Sequence, residues 1–143
     1  MHMGETEIAG DSLIMIVDDN EPVAEVLSAI LRSMGFSSME FSYGFDAIGS
    51  YRDSWKEISL VILDLNMPGI NGREVFSRLR EVNPDVDVIL ISGRIADGEI
   101  GFLLEKGAKG FVQKPFSLDV LSKQILEIIE DEGSPQQELA GKR

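Results

Sequence analysis

The sequence predicts an α/β fold in which a parallel β-sheet is covered by helices on both faces. Two observations support this prediction. The chain of 143 residues divides into five successive units, each an apolar segment followed by a segment with helical periodicity. The apolar segments are nearly continuous, as in strands that are buried on both faces. Strands that alternate with helices favour a parallel sheet between two helical layers, here within a single domain.

The strands of the first two units are predicted to differ in burial. LIMIVD (13–18) is predicted to be the first strand, and the helix after it starts near Pro22 and ends at Gly35. The second strand, SSMEFS (37–42), is more polar and alternates, as expected at the edge of a sheet. The segment FDAIGSYRD (45–53) is predicted to form a short helix.

The third unit contains a strand that ends in a carboxylate. LVILD (60–64) is predicted to be a fully buried strand with Asp64 as its last residue. Asn71 can cap the next helix, and Glu74 follows three residues later in the spacing of a capping box.

The fourth unit combines a buried strand with a weak helix. VDVILIS (86–92) is the predicted strand, and the helix is expected around 96–106. Gly98 and Gly101 weaken this helix, because each glycine costs about 1 kcal/mol relative to alanine.

The fifth unit completes the predicted domain, which spans residues 12–131. GFVQ (110–113) is a short strand, and Ser117 caps the last helix. Residues 1–11 are expected to form a disordered lead-in, and residues 132–143 a flexible tail or linker.

Composition excludes several classes of function. The formal net charge of −12 disfavours direct binding of nucleic acid, because no basic stripe is present to contact phosphates. The absence of cysteine excludes disulfides, thiolate catalysis and cysteine-based zinc sites. No apolar run is long enough to span a membrane, and the amino terminus lacks the apolar core of a signal peptide. A cytoplasmic location without membrane insertion is therefore expected.

Polar side chains collect where the predicted strands end. They are Asp18, Asp19, Asp64, Ser92 and Lys114. Because parallel strands end at one edge of the sheet, where ligands bind, these side chains should converge. Three adjacent carboxylates repel one another, and a divalent cation such as Mg2+ would relieve the repulsion. Asp19 and Asp64 are the expected direct ligands, with Asp18 acting through a water molecule.

This arrangement suits phosphoryl transfer. A metal ion would face one side of the phosphoryl group and Lys114 the other, while Ser92 donates a hydrogen bond to a third oxygen. Asp64 is the best-placed nucleophile and would form a carboxyl phosphate. Taken singly, each residue has an ordinary structural explanation, such as a helix cap or a turn. Their combination at the ends of four strands is far more specific.

Over residues 12–131 the chain resembles the receiver domains of two-component response regulators. The resemblance is carried by the acid pair Asp18-Asp19 and by the pattern D-x-x-M-P-x-x-x-G, which runs from Asp64 to Gly72. A serine ends the fourth strand, and a Lys-Pro pair follows the fifth.

The resemblance implies a flavodoxin-like (βα)5 three-layer sandwich with a five-stranded parallel sheet of order 2-1-3-4-5. Asp64 would accept a phosphoryl group from a histidine of a sensor kinase or a phosphotransfer protein. Mg2+, with Mn2+ as a substitute, would bind Asp19, Asp64 and the backbone carbonyl of Asn66. Ser92 and Lys114 would hold the phosphoryl oxygens.

The resemblance also implies how the signal leaves the site. The peptide bond Lys114-Pro115 would be cis, and Phe111 would swing inward when the hydroxyl of Ser92 moves onto the phosphoryl group. The face formed by the fourth helix, the fifth strand and the fifth helix would then act on a downstream output protein or domain. Homodimerisation on phosphorylation is compatible with this scheme.

Three alternatives remain open at the level of sequence. A phosphatase of the haloacid dehalogenase type needs an acid two residues after the nucleophile, where this chain has Asn66. A flavin carrier needs a phosphate-binding loop after the first strand, where this chain has DDNEP. The third alternative is a receiver-like scaffold that is not phosphorylated. No turnover enzyme is expected, and the chain is either a free-standing regulator or a receiver excised from a longer regulator or hybrid kinase.

Overall fold

The computed structural model describes residues 12–94 and 98–133. The predicted lead-in, residues 1–11, lies outside the described residues, as do residues 134–143 of the predicted tail. The first two residues of that tail, 132 and 133, belong to the last helix. Within the described chain, strands and helices alternate as the sequence predicts.

The elements have the following bounds. The strands are β1 (Leu13–Val17), β2 (Ser37–Phe41), β3 (Ile58–Asp64), β4 (Val88–Ser92) and β5 (Gly110–Gln113). The helices are α1 (Glu21–Ser33), α2 (Gly44–Ser54), α3 (Gly72–Val82), α4 (Glu99–Glu105) and α5 (Leu118–Gly133), with a short 3-10 helix (Trp55–Glu57) before β3.

The five strands form one parallel sheet of order β2-β1-β3-β4-β5. The predicted fold class and strand order are therefore confirmed. The polar second strand lies at one edge, and the buried strand β3 lies at the centre. The order reverses between β1 and β3, so their carboxyl ends flank the crevice where such sheets bind ligands.

Two apolar layers hold the helices against the sheet, because successive strand residues point to opposite faces. One layer joins Val61, Leu63 and Leu90 of the sheet to α2, α3 and α4 through Tyr51, Phe76, Leu79 and Leu103. The other joins Ile16, Ile62 and Ile91 to α1 and α5 through Leu27, Leu31, Leu121 and Ile125. Every strand that ends at the crevice is thus anchored by buried side chains from both sides.

Strand boundaries differ from the prediction by one or two residues. β3 begins at Ile58, and its pairing with β1 is irregular between Leu13 and Ile14. β4 begins at Val88, because a turn in which the Val86 N–H donates to the Asn83 carbonyl (3.0 Å) precedes it. Such short-range turn geometry competes with the apolar pattern at strand ends.

Helix caps follow the sequence more closely. The side chain of Asn71 accepts from the Glu74 N–H at 3.0 Å, and Ser117 Oγ accepts from the Val120 N–H at 3.4 Å, as predicted. The fourth helix begins after Gly98, which has a φ of 78° that favours glycine. The predicted start near residue 96 lies outside the described residues.

Candidate functional site

Three carboxylates meet at the carboxyl end of the central strands. Asp64 is the last residue of β3 and Asp18 directly follows β1, the neighbouring strand. Both are buried, with exposed fractions of 2% and 1%, whereas Asp19 is exposed. The three side chains offer oxygens that lie within 4.8 Å of one another. The structure therefore brings together the acids that the sequence singled out.

The turn after each strand fixes the orientation of its carboxylate. Asp18 Oδ1 accepts from the Asn20 N–H at 2.9 Å, and Asp64 Oδ1 accepts from the Asn66 N–H at 3.0 Å. These are the local bonds by which aspartate stabilises a turn two residues later. The second oxygen of each carboxylate is left to face the centre of the cluster.

Lys114 supplies the cation of the site. Its Nζ lies 3.0 Å from Asp18 Oδ2 and 3.3 Å from Asp64 Oδ2. The lysine follows β5, and its N–H donates to the Ser92 carbonyl of β4 at 2.9 Å. The bond Lys114-Pro115 is cis, as the resemblance implied.

The electrostatics of the cluster favour a further cation. Burial raises the pKa of Asp18 and the charge of Asp64 raises it further, while the Asn20 N–H and Lys114 oppose the rise. Burial alone would lower the pKa of Lys114, but the hydrogen bond to Asp18 and the charges of both aspartates outweigh it and raise the pKa. Lys114 therefore stays protonated, yet one ammonium cannot neutralise three carboxylates.

The donor set fits a hard divalent ion. Mg2+ prefers oxygen ligands and is commonly held by one or two carboxylates together with water. Asp19 and Asp64 offer carboxylate oxygens close enough to share one ion, and Asp18 lies within the same 4.8 Å cluster. The ligand roles of these residues and of the Asn66 carbonyl remain predictions.

Ser92 occupies the end of β4 beside the acid cluster and is fully buried. Its Oγ lies 2.5 Å from Asn66 Oδ1 and within hydrogen-bonding distance of the Arg94 carbonyl, and it accepts from the Arg94 N–H at 3.1 Å. The contact with the Asn66 side chain was not predicted from the sequence, where the backbone carbonyl of Asn66 was considered as a metal ligand and its side chain only as a candidate catalytic acid. It depends on the register of β3 against β4, for which the sequence contains no local signal.

Gly72 has a structural role that its motif alone does not reveal. A Cβ at this position would lie 2.5 Å from Leu65 Cα and would also collide with the carbonyl oxygen of Asp64. Only glycine therefore lets the first turn of α3 lie against the backbone that presents Asp64.

Phe111 lies on β5 as predicted, half-buried against the layer that contains Leu103. It pairs with Leu90, whereas Ser92 pairs with Gln113. Its carbonyl accepts from Gln124 Nε2 of α5 at 3.1 Å. The inward swing of its ring on phosphorylation remains a prediction.

Within the described ranges, 12–94 and 98–133, the structure contains no helix that is both long enough and apolar enough to span a membrane.

Comparison with known proteins identifies the family. Residues 14–126 match the model of the response regulator receiver domain. The chain is 32% identical over 129 residues to a transcriptional regulatory protein CpxR homolog of Haemophilus influenzae, covering 90% of this chain and 55% of that protein. It is 29% identical over 125 residues to the sensor kinase CckA of Brucella abortus, covering 87% of this chain and 13% of the kinase.

Solved structures agree with this match. A chain of the CheX-CheY-BeF3-Mg+2 complex of Borrelia burgdorferi has a TM-score of 0.78 and 28% identity, with 82% of this chain and 88% of that chain covered. A CheY-like receiver domain of Methanospirillum hungatei has a TM-score of 0.79 at 20% identity, with 85% and 96% covered, and supports the fold alone. The chain spans about half the length of the regulator and a small part of the kinase. With its fold, its strand-end cluster and the family match over residues 14–126, the chain belongs to the receiver domains of two-component response regulators.

Proposed function

We propose that Asp64 accepts a phosphoryl group from a phosphohistidine of a sensor kinase or a histidine phosphotransfer protein. The observation that supports this role is the position of its carboxylate, which is buried at the end of the central strand and 3.3 Å from the Lys114 ammonium. A cation at this distance can stabilise the negative charge that an incoming phosphoryl group brings.

In the proposed step, a carboxylate oxygen of Asp64 attacks the phosphorus atom. The new O–P bond forms as the P–N bond to the donor imidazole breaks, and the imidazole nitrogen keeps the electron pair and takes a proton from water. Lys114 then pairs with a phosphoryl oxygen, and the Ser92 hydroxyl donates a hydrogen bond to another phosphoryl oxygen once it leaves Asn66. Because Asn66 is neither acid nor base, no phosphatase cycle of the haloacid dehalogenase type is proposed.

A divalent ion is part of the proposal. Asp19, Asp64 and the Asn66 carbonyl would hold Mg2+, or Mn2+ in its place, with Asp18 contributing through water. The ion would neutralise the carboxylates and the phosphoryl oxygens while transfer takes place. The fit of the donor set and the excess negative charge at the rim support this assignment.

The proposed output is a change in the face formed by α4, β5 and α5. When the Ser92 hydroxyl moves onto the phosphoryl group, Phe111 would swing inward. The strand that contains Phe111 and the neighbouring helices would then shift as well. This face already exposes Leu104 and Leu126, each with an exposed fraction of 42%. A downstream protein or domain, or a second copy of the phosphorylated chain, would bind there, and the signalling would take place in the cytoplasm.

Intact-mass measurement after incubation with acetyl phosphate tests the proposal. We expect the gain of one phosphoryl group with Mg2+, no gain with excess chelator, and no gain in Asp64→Asn. A folded wild-type protein that neither gains mass nor binds beryllofluoride would contradict the proposal and favour the scaffold alternative. A gain that persists in Asp64→Asn would assign the acceptor elsewhere.

A further inference from the structure

A groove separates α3 from α4 on the side away from β5. Its volume is about 400 Å³, and its walls include Arg73, Phe76 and Arg80 of α3 and Glu99, Phe102 and Lys106, which lie on or directly after α4. In each wall the first and last of these residues are seven positions apart, or two helical turns. At 1.5 Å per residue the groove is therefore about 10 Å long.

The two ends of the groove differ in charge. At one end Arg73 and Glu99 form an ion pair, so their charges cancel. At the other end lie Arg80 and Lys106, and none of the ion pairs of the described chain involves either residue. Two cations without an acidic partner at the same end of the groove are unusual in a chain with 25 acidic and 13 basic side chains. This end is called the basic opening of the groove.

Each cation lies close to a group at the end of α4. The Arg80 side chain lies over the turn after α4, where a Cβ on Gly107 would come within 3.2 Å of its Nε. The Lys106 ammonium lies 5.2 Å from the centroid of the Phe102 ring, a cation–π contact.

The middle of the groove, between its charged ends, is apolar. Phe76 and Leu103 are buried beneath it, and Phe102 stands beside it with 56% of its surface exposed. Of the α4 residues only Leu103 is buried, so this short helix leaves much of its apolar surface uncovered. An exposed aromatic ring next to unpaired cations is typical of a binding surface rather than a solvated helix face.

We propose that this groove binds an acidic amphipathic helix of a partner protein. One apolar side chain of that helix would enter between Phe102 and Phe76, and carboxylates within a turn of it would pair with Arg80 and Lys106. Charge complementarity selects this occupant, because the opening is basic while the rest of the chain is strongly acidic. The site lies on the opposite side of α4 from the proposed output face and does not require phosphorylation.

Titration of the unphosphorylated, ¹⁵N-labelled chain with two synthetic helical peptides tests the proposal. One peptide contains glutamate on both sides of a leucine and phenylalanine stripe, and its twin has every glutamate replaced by glutamine. We expect the acidic peptide to shift amide resonances in residues 73–82 and 98–107, and the twin to bind roughly tenfold more weakly.

Matched variants locate the contact. Arg80→Ala and Lys106→Ala should each weaken binding of the acidic peptide by about threefold to fivefold, and Phe102→Ala by more. Lys123→Ala removes an exposed lysine of α5 outside the groove and should leave binding unchanged.

Several outcomes would overturn the inference. They are equal binding of the two peptides, shifts confined to α5 or to the acid cluster, and no shift at peptide concentrations up to about 1 mM. A wild-type dimer in sedimentation experiments that Arg80→Ala abolishes would assign the groove to a second copy of this chain. That result would also overturn the inference. None of these outcomes depends on whether Asp64 is phosphorylated.

Discussion

Replacing Gly72 by alanine is expected to destabilise the protein, although alanine is the better helix former. The new Cβ would lie 2.5 Å from Leu65 Cα, and ordinary contacts begin at 3.4 Å, so α3 and the end of β3 must separate by about 0.9 Å. Both obstacles are backbone atoms, which cannot rotate away. Overpacking of this kind costs about 3 kcal/mol, and the helix propensity of alanine returns at most about 1 kcal/mol.

The net loss is therefore about 2 kcal/mol in the free energy of unfolding. With a urea m-value of about 2 kcal/mol/M, the unfolding midpoint should fall by roughly 1 M. Because the separation displaces the backbone of Asp64, the variant should also incorporate phosphoryl from acetyl phosphate more slowly than the wild type. Circular dichroism during urea unfolding and intact-mass time courses measure the two effects.

Gly49→Ala is the matched control. Gly49 also lies within a helix, α2, but a Cβ there meets no atom within 4 Å. This variant should gain about 0.5–1 kcal/mol from helix propensity alone. A midpoint for Gly72→Ala at or above that of the wild type would refute the steric argument, as would equal losses in the two variants.

Two further predictions concern charge. Lys114→Met should lower the free energy of unfolding by about 1–2 kcal/mol without Mg2+, because Asp18 and Asp64 lose the cation that they share. Added Mg2+ should recover part of this loss. Unchanged stability in urea unfolding would contradict the prediction. Burial raises the pKa of Tyr51 above its ordinary value of 10.0, so the stability that its neutral hydroxyl contributes is complete below that pH and is lost as the pH rises through the higher pKa of the folded state. The difference in unfolding free energy between wild type and Tyr51→Phe should therefore shrink above about pH 10, and a difference that is constant from pH 8 to 11 would show that Tyr51 does not titrate differently on folding.

Local patterns were sufficient for the architecture. Strands such as LVILD are apolar at every position, and the helices that follow repeat their apolar residues every three to four positions, so each element can be recognised without its neighbours. Caps such as Asn71 depend on residues three positions away and were also predicted correctly. The convergence of the strand-end acids follows from the parallel order itself, because every strand ends at the same edge.

What the sequence by itself determined was the fold class, the strand order implied by the family resemblance, and the set of side chains at the site. Only the tertiary structure decided that Lys114 lies nearer to Asp18 than to Asp64, that the Asn66 side chain meets Ser92, and that α3 and α4 leave a groove between them. The physical reason is how far apart in the sequence the interacting residues lie. Periodicity and capping act within a few residues of the chain, whereas side-chain contacts across strands and helices depend on register and packing between segments far apart in sequence.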